Sequence, residues 1–387
     1  MLQGTPFCNL NCTYCDLSTA SRRQKHRMSL GTIERVFSEI FGSGVALASE
    51  ISVIWHSGEP LTLDPAYYDA AIERILAVRG TRPVAIRFDI QTNAVLINDA
   101  WCDFFERHAA HLRVGVSCDG PEAMHDAFRV NWGAKASHSR AARGMDLLAR
   151  RGIHYNAIAV VTERTLADPE AFFDFFVQRQ HQMRGFHFNI LAEGDGRGAD
   201  LSYSAADRDR YYRFYRRLLD LCRNHAHGGG EFAIKNFVHA LDRILSGDGT
   251  HVEACTAPLK SVNVDALGNV TTFYAGLAPE TEADRYGDGR GLALGNILEK
   301  SLVEMVRSPK LARICADFAA SRAACRAECS YHMVCSGGFE LTKLARYGRF
   351  DASETPECVI HVKALTDALL DDIGEHLATQ REQAVHA

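Results

Sequence analysis

No apolar run in this 387-residue chain approaches the ~20 residues needed to span a bilayer. Its start, Met1-Leu2-Gln3-Gly4-Thr5-Pro6, lacks the basic and long apolar regions of a secretory signal. The two absences predict a cytoplasmic protein. A net charge of −5 leaves no basic surplus for general nucleic-acid binding, so neither nucleic acid nor membrane is an expected partner. Internal repeats and low-complexity segments are also missing. The polar run Gly194-Asp195-Gly196-Arg197-Gly198 lacks the strand–GxGxxG–helix context of a nucleotide loop and reads as a connection. What remains is ordinary for a globular enzyme, with 47% hydrophobic and 24% charged residues. The exception is cysteine. Twelve of them in a cytoplasmic chain argue for metal ligation or redox chemistry over disulfides.

Three of those cysteines lie in Cys8-Asn9-Leu10-Asn11-Cys12-Thr13-Tyr14-Cys15. Steps of four and three residues can turn the sulfurs toward one small loop interior. Thiolates are soft ligands that suit iron–sulfur clusters or zinc. Three of them hold only three corners of a four-iron cube, leaving one iron open. Structural zinc usually closes with four ligands, often as two CxxC pairs, and no nearby fourth ligand stands out.

Beyond this loop the chain alternates. Residues 2–7 read as a short strand, and Ile33, Val36, Phe37, Ile40 and Phe41 form one apolar helical stripe. Strands are expected at 51–55, 84–90, 112–117, 153–161 and 185–190. Helices are expected at 65–78 (capped by Asp64 before Pro65), 98–110, 137–151 and 169–180, then 204–226 and 231–246. Strand–helix alternation at this spacing implies an α/β fold with a parallel sheet. Six units fall short of the eight in a complete TIM barrel. Ligand chemistry in such folds sits at the C-terminal strand ends, where the short motifs fall. His56-Ser57-Gly58-Glu59-Pro60 follows the second strand and Gln91-Thr92-Asn93 ends the third. Ser117-Cys118-Asp119-Gly120-Pro121 ends the fourth, with His125-Asp126 and Arg129 beyond. Each motif alone is a turn or a surface charge. Together, each after a strand and all behind CxxxCxYC, they point to one site.

A second cysteine set comes late: Cys325-x3-Cys329-x5-Cys335 and then Cys358. Four thiolates satisfy a fully ligated four-iron cluster, with zinc as the alternative. Before it, 262–265 and 270–273 flank Ala266-Leu267-Gly268-Asn269 as a hairpin. Cys102, Cys118, Cys222 and Cys315 fit no ligand pattern and are expected to be buried thiols.

CxxxCxxC with Tyr14 before its last cysteine resembles the signature of the radical S-adenosylmethionine (SAM) superfamily. The resemblance implies a partial (β/α)6 TIM-like barrel over 1–200, a helical linker over 201–250 and a SPASM-type auxiliary-cluster domain over 251–387. It implies a [4Fe-4S] cluster on Cys8, Cys12 and Cys15 whose open iron takes SAM, S-adenosyl-L-methionine, for cleavage to a 5′-deoxyadenosyl radical. Ser57, Gly58 and Glu59 resemble the family's GGEP motif, with Ser57 tolerable if its φ is negative. Tyr14, Thr92, Asn93, Ser117 and Arg129 complete the expected SAM contacts. The late cysteines resemble a SPASM set, implying one auxiliary [4Fe-4S] cluster on Cys325, Cys329, Cys335 and Cys358. Cys255 stands where an inner cluster's first ligand belongs, but Phe273 and Phe339 replace its partners, leaving Cys255 a free thiol.

Sulfatase-maturing relatives resemble a pattern with Asp after the hairpin cysteine. Here those positions read Phe273-Tyr274. Leu2 to Asn9, Trp55 to Leu61, Val270 to Phe273, Ala293 to Ile297 and Phe350 to Cys358 look instead like the GRRM-type, cyclophane-forming maturases of ribosomally made peptides. That subgroup implies an oxidoreductase that abstracts a Cβ hydrogen from a precursor peptide and forms a C–C or ether crosslink. A reductant such as flavodoxin or ferredoxin is then required. With the first strand so near the start, leader recognition falls to this body or to a separate protein. Asp119, Glu193, Asp195 and Tyr274 are the base candidates by position, with His56 another group beside the site. Other expectations in view are an epimerase using Cys255 as hydrogen donor, a sulfatase-maturase-like oxidation of a protein residue, and, more remotely, a zinc-binding interaction protein.

Overall fold

Along Ala85–Thr92, Ile86, Phe88, Ile90 and Thr92 are buried while Ala85 and Arg87 face out. This period of two is what a half-buried strand requires. Five strands form one parallel sheet in sequence order: β1 Glu50–Trp55, β2 Ala85–Thr92, β3 Leu112–Ser117, β4 Tyr155–Val161 and β5 Met183–Ile190. The register pairs Trp55 with Ile90 and Thr92 with Val116. Helices Pro65–Arg79, Asp99–Arg107, His138–Arg150 and Pro169–Val177 fill the four connections, the crossovers that parallel strands need. The computed structural model describes residues 1–44, 48–190, 203–247, 260–273 and 285–386.

The first expected strand is reduced to Leu2, which forms isolated parallel bridges to Trp55 and Val264. Leu2 bridges Trp55 in parallel, its amide bonded to the Ile54 carbonyl at 2.8 Å and its carbonyl accepting from His56 N at 3.2 Å. Pro6 has no N–H to extend the ladder, and the amide of Phe7 turns to Thr5 Oγ1 at 3.2 Å. The helix bounds follow their caps. Ser29 and Asn98 accept from the amides of Thr32 and Trp101 at 2.9 and 3.1 Å. Asp64 precedes its helix without a side-chain bond, so Pro65 alone marks that start.

Two compact units divide the chain, neither continuous in sequence. The first comprises Met1–Cys118, Asp126–Asn156 and Glu253–Asp317. In its core the Trp55 ring stacks on Phe88 at 5.3 Å and meets Tyr68 edge-on at 5.1 Å. The expected hairpin forms here as antiparallel β6 Asn263–Val264 and β7 Asn269–Thr271, joined by β8 Gly295–Asn296. Val264 also takes the amide of Gln3 on its carbonyl at 2.9 Å, so the hairpin borders the chain just before the cysteine loop.

The second unit comprises Asp119–His125, Ala157–Val252 and Phe318–Ala387. Its core is aromatic, with Phe176 stacked on Phe186 at 4.0 Å beside Phe172, Phe188, Phe214 and Tyr215. Helix Ala364–His386 lies along Arg208–His227, tied by Arg208 to Asp367 and Arg223 to Asp372. Cys102 and Cys118 are buried as expected, whereas Cys222 and Cys315 are only half-buried.

Candidate functional site

The cysteine loop is held from both sides. Its Asn11 and Thr13 amides donate to the carbonyls of Val130 and Phe128 at 2.7 and 2.9 Å, and Leu10 bridges Asn131 antiparallel. Trp132 donates from Nε1 to the Cys8 carbonyl at 2.8 Å, and its ring lies under the Arg23 guanidinium at 4.7 Å. Arg22 is buried, bonded to Leu17 O at 3.0 Å and Asn11 Oδ1 at 2.9 Å, and its own carbonyl accepts from Cys8 N at 3.1 Å. Burial, helped by the charge of Glu59, pushes the Cys8 thiol well up, and Cys12 and Cys15 add to the effect. Burial likewise pushes Cys15 up to about 11, against the opposing charge of Arg22.

The three thiols thus sense one another's charge within a sheltered loop, and the amide of Leu10 points at the Cys8 sulfur at 3.4 Å. Part-buried soft donors with an amide directed at sulfur fit an iron–sulfur group, whose positive irons replace the thiol protons. Among the described residues, no three His, Cys, Asp or Glu side chains are gathered tightly enough to hold a single metal ion.

Beside the loop, Ser57 and Gly58 both adopt left-handed backbone, at φ 70° and 79°. The condition for an unstrained Ser57, a negative φ, is therefore not met. The tight turn between β1 and Glu59 imposes this conformation and leaves Ser57 strained. At Gly58 a Cβ would stand 2.3 Å from the Thr5 carbonyl, so no other residue fits without movement. Glu59 is 2% exposed. Its Oε1 accepts from Leu61 N at 2.9 Å and Thr92 Oγ1 at 2.7 Å, and its Oε2 from Asn93 N at 2.8 Å. Burial raises its carboxyl to about 7 even though these bonds and the charge of Arg129 pull the other way.

Asn93 also donates from Nδ2 to Asn9 Oδ1 at 2.8 Å, tying the end of β2 to the cysteine loop. Ser117 accepts from Gln91 Nε2 at 2.8 Å, which Gly115 permits by leaving room for the Gln91 side chain. Arg129 is buried with its guanidinium 5.4 Å from the Tyr14 ring. Sequence reasoning named Glu59, Asn93, Ser117, Tyr14 and Arg129. It missed Asn9, Arg22 and Trp132. Only the nearness of Asn9 to Cys8 offered any signal.

In the second unit, Cys335 lies within the electrostatic influence of Cys325, Cys329 and Cys358. Burial raises Cys335 to about 11, and the other three thiols each add to the rise. Cys325 is 6% exposed, and the Cys358 sulfur accepts from the Thr355 amide at 3.2 Å. Ser336, Gly337 and Gly338, at φ 59°, 114° and 70°, turn the chain after Cys335. A Cβ on Gly337 would stand 2.8 Å from Arg322 Cγ. Cys358 opens a π-helical turn, Cys358–Lys363. Soft, grouped, part-buried donors again fit an iron–sulfur group.

Asp119 is buried, with Oδ1 accepting from Val160 N at 3.0 Å and its amide donating to His125 Nδ1 at 3.4 Å. His56 is held below its usual value by burial. Phe273 is fully buried, its carbonyl accepting from Asn263 Nδ2 at 2.5 Å and Thr271 Oγ1 at 2.9 Å. Glu193, Asp195, Cys255 and Tyr274 lie outside the described residues. None of the eleven described cysteines forms a disulfide, and no described helix is long and apolar enough to cross a membrane.

A family model described as the Radical SAM superfamily matches residues 2–176. A serine-type anaerobic sulfatase-maturating enzyme of Bacteroides thetaiotaomicron is 30% identical over 327 residues, covering 78% of this chain and 72% of the relative. Two solved structures share the fold. One, native anSMEcpe with bound AdoMet and Kp18Cys peptide, has a TM-score of 0.76 at 18% identity and covers 98% of both chains. The other, Streptococcus suis SuiB bound to precursor peptide SuiA, has a TM-score of 0.63 at 17% identity and covers 92% of this chain and 74% of SuiB.

Proposed function

Because the chain belongs to the radical SAM superfamily, we propose that it oxidises a side chain of a ribosomally made precursor peptide. The outcome is an intramolecular crosslink, of C–C cyclophane or ether type, with net loss of two hydrogens. When bound, SAM and the clusters would supply a 5′-deoxyadenosyl radical that takes one Cβ hydrogen atom, and an acceptor for the electron left when a second hydrogen departs as a proton.

The protein's own residues prepare the site. Cys8, Cys12 and Cys15 would hold the radical-generating cluster, on a loop braced by 128–132. Arg129, steadied over the Tyr14 ring, would take the SAM carboxylate in a charge-assisted pair. Ser57, Gly58, Thr92, Asn93 and Ser117 would line the cofactor's other edge. The Glu59 carboxylate already accepts three internal hydrogen bonds, which makes it a brace for the turn that meets SAM. Positioning of this kind supplies much of the rate of a radical reaction. A division into barrel, linker and auxiliary domain at 1–200, 201–250 and 251–387 belongs to the same reading. So do a flavodoxin- or ferredoxin-like reductant and leader recognition by this body or a separate protein.

The observation that carries the proposal is the second thiol set on Cys325, Cys329, Cys335 and Cys358. Radical formation needs one cluster, and a second is called for when an electron must leave the product. Phe273 favours the crosslinking branch, since a buried aromatic stands where the sulfatase-maturing pattern has a ligand cysteine.

A second reading, oxidation of a Ser or Cys in a protein to an aldehyde, is favoured by the similarity to sulfatase-maturating enzymes. One experiment separates them. A peptide encoded beside the gene is co-expressed with the enzyme, and its mass, fragmentation and reaction with a hydrazide are recorded. Loss of two hydrogens, with fragmentation blocked between two residues and no hydrazide adduct, is expected. A hydrazide-reactive product would overturn crosslinking in favour of the second reading. Unchanged mass with deuterium uptake from solvent would indicate epimerisation instead.

A further inference from the structure

Lys343, in helix Glu340–Tyr347, is 3% exposed. A buried ammonium is costly unless it is hydrogen-bonded and balanced by negative charge. Its Nζ donates to Ser321 Oγ at 2.7 Å and to Cys325 Sγ at 3.1 Å, with the Ser321 carbonyl at 3.4 Å. The carboxylate one turn away, Glu340, is itself buried and bonded to Arg322 at 2.8 Å. Two cations and one anion leave a positive charge over, and the ligand sulfur of Cys325 is what it touches. A second ammonium, Lys363, closes the π-helical turn that begins at Cys358 and lies within the influence of Cys329 and Cys358. Glu354 pairs with it and offsets its charge. Among the described residues, the anion nearest Lys343 in the chain, Glu340, is shared with Arg322.

We infer that Lys343 is a positioning residue that raises the reduction potential of the auxiliary cluster, through an ammonium-to-sulfur hydrogen bond at Cys325. The inference rests on the auxiliary-cluster reading given above. Reduction by one electron makes the cluster one charge more negative. A fixed cation at a ligand sulfur stabilises that state over the oxidised one, and hydrogen bonds to sulfur act in the same direction. Ser321 holds the ammonium in place. The result is a cluster readier to accept an electron from a substrate-derived radical.

The test uses the full-length chain with Cys8, Cys12 and Cys15 replaced by Ala, so that only the auxiliary set can carry iron. After anaerobic reconstitution, iron content is measured and the cluster is titrated with reductant under electron paramagnetic resonance. At the parent's midpoint, Lys343→Met is expected to lower the reduced-to-oxidised ratio at least tenfold, equivalent to about 59 mV for one electron. Lys343→Arg should stay within about threefold. An unchanged midpoint in a fully loaded Lys343→Met protein overturns the inference. If Lys343→Met fails to assemble a cluster, Ser321→Ala decides: a fall in the same direction supports the inference, and an unmoved midpoint overturns it. A parent without iron overturns the auxiliary-cluster reading itself, and this is seen before any lysine is changed.

Discussion

The amide of Asn93 donates to Glu59 Oε2 at 2.8 Å, joining the turn after β1 to the end of β2 across 34 positions of sequence. Thr92 and Leu61 complete the carboxylate's bonds, and the Asn93 side chain reaches on to Asn9 in the cysteine loop. One buried carboxylate therefore staples two strand ends, while Asn93 carries the link to the ligand loop.

Glu59 makes the metal-free protein pH-sensitive. Its folded carboxyl titrates at about 7, above an ordinary 4.5, so between these values the folded state binds the extra proton. The stability from this group is fully present below about 4.5 and is lost as pH rises through about 7, with an upper bound of about 3 kcal/mol. Urea unfolding of the metal-free protein at pH 5 to 8 should show this slope, and Glu59→Gln should flatten it. Equal slopes in the two proteins would mean that other groups govern the dependence.

Ser57 occupies left-handed backbone at φ 70°, which costs a residue with a Cβ about 1 kcal/mol relative to glycine. Ser57→Gly should raise the unfolding free energy of the metal-free protein by that amount, read from urea unfolding. Gly58→Ala should do the reverse by about 1–3 kcal/mol, since its Cβ would press on the Thr5 carbonyl at 2.3 Å. A neutral Gly58→Ala would show that residues 5 and 6 yield easily.

Cys12→Ala should abolish SAM cleavage, followed as 5′-deoxyadenosine formation. Cys329→Ala should leave some uncoupled cleavage and no modified peptide. Equal loss of both activities in the two variants would mean that the second thiol set is needed for folding.

Trp132→Phe keeps an aromatic ring under Arg23 but removes the Nε1 bond to the Cys8 carbonyl. The cost should be about 1 kcal/mol of loop stability. The readout is faster bleaching of the radical-generating cluster in air, with the second thiol set as internal reference. Unchanged bleaching would assign the loop's rigidity to its backbone pairing with 128–131.

Legibility in the sequence tracked locality. The strand expected at 84–90, the stripe from Ile33 to Phe41 and the Gly268 turn placed β2, a helix and the hairpin within a few residues. Residues 2–7 read as a strand, yet Leu2 alone forms bridges, and Pro6 has no N–H to extend them. Asp64 looked like a cap, but a capping residue is defined by a bond that composition cannot show. In the ligand loop, spacing alone marked Cys8, Cys12 and Cys15. Trp132 carried no signal, because its partner is a carbonyl 124 positions away.

The sequence by itself determined the two thiol sets and their order, since thiol number, spacing and order along the chain are local properties. It also determined the α/β alternation, because side-chain periodicity and turn residues act over a few positions. Only the tertiary structure decided what surrounds those ligands. The left-handed backbone at Ser57, the internal commitment of the Glu59 carboxylate, the cover of Trp132 over the cysteine loop and the ammonium of Lys343 on Cys325 all arise where distant segments exclude water together. Burial, which sets the free energy of every charge and hydrogen bond among them, is a property of the folded chain.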